Sequence, residues 1–355
     1  ADSYDGNGNL VHSQDGLSVQ QKRSYDGLNR LVSTIRDYQG TNSATANAQS
    51  VTSFDALDRV TGFSDPDGLN TTYDIDAFGN ITGLHSPDTG TTTKTYDVAG
   101  NLIGTVDANQ VAIAFTYDAL GRPTGTTYPD TTLNVAYRYD EPDSITGCTG
   151  SFNKGHLTRV VESNGGIVYC YDGHGNVIKK QQTVGSVTTT TSYAWTLGDR
   201  LKSITTANGT VVAYSRDANG RITTVTATPL GGATTTIASN VAYQPFGPIA
   251  SYTLGNGQTV TRTYDANGQL TDIASAAFSL HLGRDAMGNV AALGDSVGAS
   301  PASETYGYDS LYRLTGVNGS SGSSIEAYTY NKTGDRLSKA APGLLRVAYS
   351  YQPGT

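Results

Sequence analysis

Around residue 111 the chain alternates with a period of two. Val111, Ile113, Phe115 and Tyr117 fall on one face and Ala112, Ala114 and Thr116 on the other, and the run breaks at Asp118 and Gly121. That period belongs to a strand with one covered face. Leu133, Val135, Tyr137 and Tyr139 repeat it, as do Ile167, Tyr169 and Tyr171. After each break a short segment such as "NLIGTV" or "RLVSTI" predicts a returning strand. Nothing in the pattern predicts a helical domain.

The break itself recurs. A phrase of aromatic, Asp, two free positions, Gly, one free position and an aliphatic begins at 4, 25, 54, 75, 96, 117, 171, 195, 216, 243, 264, 284, 308 and 330, and six of the thirteen intervals are 21 residues. A divergent copy occupies 137–144, and an insertion at 145–155 follows it. The first position is aromatic in eleven of the fourteen copies and the second is Asp in eleven. The fifth is Gly, Asn or Asp in all but one, where Tyr312 stands. A catalytic motif needs one copy, so a phrase repeated along the whole chain specifies a building block.

Its chemistry is that of a turn. Asp at the first corner accepts backbone N–H groups, and Gly at the fourth lets the chain enter the left-handed region, which closes a hairpin with a bulge. The defining positions are Tyr4, Asp5 and Gly8; Tyr25 and Asp26; Tyr96, Asp97 and Gly100; Tyr117, Asp118 and Gly121; Tyr171, Asp172 and Gly175; Tyr264, Asp265 and Gly268; and Tyr308 and Asp309. A second turn signal follows half a period later, as in "DPDG" at 65 and "DANQ" at 107. Each repeat thus predicts two strands and two turns.

One hairpin buries too little surface to stand alone, so neighbouring hairpins must lie side by side. The expected fold is all-β with essentially no helix. It is one array of about 15 repeats over residues 1–355, with antiparallel hairpins forming a long sheet that coils because strands twist, and with tyrosines and aliphatics in a continuous layer.

Composition narrows the partners. The net charge is -8 and 15% of residues are charged, so no basic stripe is available to neutralise phosphates and nucleic acid is not expected. No run is apolar enough for a membrane span, and "ADSYDGNGNLVHSQ" has no signal-peptide pattern. Cys148 and Cys170 lie outside any CxxC spacing, which leaves two free thiols or one disulfide as open readings.

The copies of "YDxxGR/NL" and their spacing resemble the Rhs, or YD-repeat, family, and the resemblance covers essentially the whole chain. That family includes bacterial polymorphic toxins, the B and C components of insecticidal toxin complexes, a wall-associated protein and the teneurins. The resemblance implies a ribbon wound into a hollow shell and a C-terminal toxin or cargo domain of the parent protein as partner. It also implies a secreted or cell-surface location in bacteria, and structural roles for the phrase residues. Rhs toxins follow the shell with a core region whose paired aspartates cleave the chain. No such region is found here, and Asp65 and Asp67 read as an ordinary second turn. The bare "YDGNGNL" start and the "YSYQPGT" end read as a segment truncated at both ends, whose sheet edges allow self-association.

"GDSVG" at 294–298 fits G-x-S-x-G with Ser296 as nucleophile, but Pro301 and another repeat follow in place of a helix, and no histidine follows His281. "DGNGN" at 5–9 departs from a calcium loop at Leu10 and Gly16. His12, His85, His156, His174 and His281 have no ligand spacing, and His174 is expected to face water. No cofactor is expected. Arg30, Arg59, Arg122, Arg200, Arg221 and Arg313 follow the turn in register, which predicts pairing with turn carboxylates of neighbouring repeats. Trp195 fills a phrase aromatic position. The leading expectation is a non-enzymatic shell segment, and the alternative is a module that binds cell-surface or cell-wall glycans.

Overall fold

The computed structural model describes residues 2–351 except 246 and 299–301, so Pro301 and the final four residues lie outside the described set. The chain forms a sheet of 31 antiparallel strands. It divides into two units, one of residues Ala1–Thr93 and Thr263–Thr355, the other of Lys94–Arg262.

Within each unit every strand pairs with its neighbour in sequence. Ala112–Tyr117 shows the local logic: its alternate residues Ile113, Phe115 and Tyr117 are half-buried, while Ala112, Ala114 and Thr116 face solvent. It pairs with Pro123–Thr127, and the register slips between Thr116 and Tyr117, a bulge beside the turn. The same slip recurs at Ser24/Tyr25, Ser53/Phe54, Cys170/Tyr171, Ala194/Trp195 and Gly307/Tyr308. The slip sits beside the phrase aromatic in each case.

Little of the apolar surface is fully covered. Among the described residues only Ala48, Cys148, Cys170, Tyr171 and Val260 are fully buried apolar residues, so the phrase aromatics form a half-covered stripe and not a closed core. Stability therefore falls more heavily on ladder hydrogen bonds and turn contacts than in a two-layer domain.

One local expectation needs correction. Leu133 lies in a 3-10 turn, Thr131–Leu133, capped by the Asp130 carboxylate on the Thr132 N–H, and is exposed. The strand begins only at Val135, because the cap draws the chain into a turn before it can extend. The segment after Tyr139 holds a short helix, Asp143–Thr146, closed by Gly147 in the left-handed conformation. Helix is confined to these two pieces among the described residues.

Candidate functional site: turn staples along the sheet edge

Tyr4, Tyr25, Tyr96, Tyr117, Tyr171, Tyr264 and Tyr308 each end a strand. The turn that follows has one construction. In the copy at 117, the Asp118 N–H donates to the Arg122 carbonyl and the Gly121 N–H donates to the Asp118 carbonyl, both at 3.0 Å. Asp118 Oδ1 accepts the N–H groups of Leu120 and Arg122 at 2.9 Å, and Oδ2 takes Arg122 Nε at 2.7 Å. Gly121 sits at φ 73°, a conformation costly for a residue with a Cβ.

The two-donor grip on Oδ1 recurs at Asp5, Asp26, Asp55, Asp76, Asp97 and Asp172, and again at Asp217, Asp265, Asp285 and Asp309. Gly8, Gly100, Gly175 and Gly268 close their turns with φ between 76° and 86°. At Asp5, Asp76 and Asp97 the Asn side chain four residues on leads in holding the carboxyl below its ordinary value. At Asp26, Asp55 and Asp118 the backbone N–H of the following Arg does so.

The phrase aromatic has a second task that the sequence did not disclose. The Tyr117 hydroxyl donates to the Leu102 carbonyl at 2.8 Å, and Leu102 is the aliphatic seventh position of the preceding phrase. Tyr25, Tyr171, Tyr243, Tyr308 and Tyr330 do the same to Leu10, Leu157, Ile222, Val290 and Leu314, and Trp195 does so through its indole N–H to Val177. Arg216 and Arg284, which stand where an aromatic is expected, reach the equivalent carbonyls of Leu201 and Leu270. In these nine copies the first position supplies a donor at the end of a long side chain, whereas Phe54 and Ile75 at the same position have none. The signal was present in the sequence as two arginines in an aromatic column.

The arginine row also differs from expectation. Arg30, Arg59, Arg122, Arg221 and Arg313 turn Nε back onto the carboxylate of their own turn, at 2.6 to 2.9 Å. Terminal nitrogens of Arg30, Arg59, Arg122 and Arg313 reach the next repeat, as when Arg30 meets Asp58 and Arg122 meets Asp140, each at 2.7 Å. Four of these guanidinium groups lie over the next phrase aromatic: Arg30 on Phe54, Arg122 on Tyr139, Arg221 on Tyr243 and Arg313 on Tyr330, at 4.3 to 4.9 Å. Each such arginine staples two repeats together.

Cys148 and Cys170 are joined by a disulfide with Cα atoms 5.6 Å apart. It fastens the segment after Tyr139 to strand Gly165–Tyr171, where Glu141 also grips Arg159 through both oxygens and His156 stacks on Tyr171 at 4.4 Å.

The remaining candidates separate. Ser296 is exposed after strand Val290–Gly294, the next described strand is Glu304–Tyr308, and no helix lies between them among the described residues. Register sets His281 between Asp272 and Gly294, and His281 Nδ1 lies 2.8 Å from Asp272 Oδ1, which also accepts the Gly298 N–H at 3.0 Å. Among the described residues no hydrogen bond joins Ser296 to a histidine. Asp65 Oδ1 accepts the N–H groups of Asp67 and Leu69, an ordinary turn. His174 is more than half exposed and pairs with Asp199. No group of three or more His, Cys, Asp or Glu side chains suited to a metal occurs among the described residues.

These features define a repeat protein built from antiparallel β-hairpins. A family model described as the RHS Repeat matches residues 54–92, 96–133 and 195–233. These three stretches are thus RHS repeats. It is similar in fold to the solved TcdB2-TccC3-Cdc42 structure, with a TM-score of 0.77 and 15% identity over 96% of this chain and 22% of that one. It is similar also to the Photorhabdus luminescens Tc holotoxin pore, with a TM-score of 0.76 and 16% identity over 96% of this chain and 21% of that one. A third likeness is to TcdB2-TccC3, with a TM-score of 0.71, 16% identity and 24% of that chain covered. The chain thus spans about a fifth to a quarter of the length of these solved chains. None of the curated proteins compared with it matches.

Proposed function

We propose that this chain is a structural, non-enzymatic wall segment of a longer exported protein, and that the wall encloses or presents a toxin or cargo domain. The observation that carries this reading is the repeated staple. In successive repeats the turn carboxylate accepts the backbone N–H groups of its own turn, so the side chains that recur along the chain are used in holding the sheet. The fold likeness to chains of toxin complexes supports the cargo reading, and the disulfide supports an oxidising, extracellular compartment. The end strands Ser3–Tyr4 and Val347–Ala348 offer edges through which further Rhs segments, or second copies, would add.

Limited proteolysis of the intact parent protein tests containment. Cargo segments outside the repeats should survive as long as the repeats do. Cleavage of those segments at the rate of an unprotected chain would overturn it.

A further inference from the structure

The staple has a complete form and a vacant form. In the complete form, Arg30 lies over Phe54 at 4.8 Å and pairs with Asp26 of its own turn and with Asp58 of the next, each at 2.7 Å. In the copy at 171 the same three walls are present. Asp172 stands where Asp26 does, Trp195 where Phe54 does and Asp199 where Asp58 does, but Asn176 replaces the arginine. A cleft of about 620 Å³ opens at this place, lined by Asp172, His174, Trp195, Asp199, Lys202 and Arg216 among others.

The surrounding contacts keep the walls in position. The Trp195 indole N–H is anchored on the Val177 carbonyl at 2.9 Å, which fixes the ring. Asn176 Nδ2 spans Asp172 at 3.1 Å and Asp199 at 2.8 Å, a short amide where the other copy has a guanidinium. His174 Nδ1 lies 3.1 Å from Asp199. Other copies with Asn or Gln at this position lack a carboxylate at the fifth position of the next phrase, so this vacancy alone repeats the Arg30 environment. Also lining the cleft, Arg216 donates to the carbonyls of Gly220 and Leu201, and among the described residues neither it nor Lys202 has an ion pair.

We propose that this cleft is a binding site for an arginine side chain of a polypeptide, with preference for an arginine followed by an acidic residue. The guanidinium takes the place over Trp195 and against Asp199 that Arg30 takes over Phe54 and against Asp58, and the neighbouring carboxylate meets Lys202 and Arg216. A lysine ammonium lacks the planar fork that pairs and stacks at once. The proposal is independent of whether the wall encloses cargo.

Trp195 is the chain's single tryptophan, so its fluorescence reports the site directly. Titration with the acetylated dipeptide amides Arg-Glu, Lys-Glu and Arg-Lys should give saturable quenching by Arg-Glu with a dissociation constant on the order of 1 mM, and binding at least about fivefold weaker for the other two. Asp199→Asn should weaken Arg-Glu by about tenfold. Asn176→Arg, which fills the vacancy from within, should abolish its binding by calorimetry while raising the melting temperature. The proposal is overturned by no saturable change up to about 20 mM Arg-Glu, by equal binding of Lys-Glu, or by an Asn176→Arg protein that binds as the parent does.

Discussion

The Tyr312 hydroxyl donates a hydrogen bond to the Asp15 carboxylate, 297 residues away along the chain and within the same unit. Tyr312 is also the phrase residue that holds a bulky side chain in the left-handed region, at φ 63°. Such a conformation is strained and persists only where its surroundings impose it. Here Thr333 Oγ1 reaches Asp67 at 3.0 Å and Arg313 reaches the Ala44 carbonyl at 3.4 Å, so several contacts between the same two stretches share the load. Burial first, and Asp15 second, push the Tyr312 phenol upward from its ordinary value, so the bonded hydroxyl keeps its proton at neutral pH.

Tyr312→Phe should therefore destabilise the protein by about 1.5–3 kcal/mol, the worth of a hydrogen bond to a charged group. Urea unfolding measures it, and an unchanged midpoint would show that the contact carries nothing.

The donor role of the first phrase position predicts that Tyr117→Phe leaves the Leu102 carbonyl without its partner and costs about 1 kcal/mol. Arg216→Tyr should be tolerated, since a phenol at that position reaches the carbonyl that Arg216 now serves. Paired thermal melts of the two variants decide this, and a large loss from Arg216→Tyr with none from Tyr117→Phe would contradict it.

Arg122 combines a return to Asp118, a reach to Asp140 and a position over Tyr139. Lysine keeps the charge but cannot make the three contacts together. Arg122→Lys is expected to lower the melting temperature nearly as far as Arg122→Ala, by roughly 2–4 °C. Full retention of stability in the lysine variant would reduce the staple to simple charge pairing.

How far the chain could be read from its sequence follows from the range of each contact. Strand period, turn chemistry and repeat length are local, so the positions of Asp118, Gly121 and Tyr117 in the fold could be read directly. The arginine row was half legible: its register along the sheet follows from the repeat, but the return of Nε to the residue four positions back requires the bulged turn to bring the two together. The strain at Tyr312 was not legible, because the group that holds it lies 297 residues away. The pairing of Asp272 with His281 is set by a hairpin register that periodicity alone leaves open.

The disulfide closes a loop between Cys148 and Cys170, 22 residues apart, and the chain-entropy argument gives it about 3 kcal/mol. The paired substitution Cys148→Ser with Cys170→Ser should act locally. Hydrogen exchange should rise in the 140–156 segment and at its contacts on Gly165–Tyr171, while strands such as Ala112–Tyr117 stay protected. Uniform loss of protection across the sheet would instead make the disulfide a requirement of the whole fold.

The turn carboxylates make acid the condition to which this architecture is most exposed. Asp5, Asp26, Asp55, Asp76, Asp97, Asp118 and Asp217 all have their pKa lowered from 3.8 by the N–H groups and side chains they grip. A group whose pKa is depressed by folding contributes its stability fully above the unfolded value and loses it as pH falls through the lower folded value. Because the same group recurs in successive repeats, the losses fall in one pH window. The protein should hold its urea midpoint from about pH 7 to about pH 5 and lose it steeply below about pH 4. Asp118→Asn removes one member, so its cost at about pH 6 should shrink at about pH 3, below the unfolded carboxylate's value, where proton uptake by the unfolded chain erodes the wild-type advantage. A midpoint that stays flat down to about pH 2, or an Asp118→Asn penalty that is the same at both pH values, would mean that the turns are held by backbone geometry without the carboxylate charge.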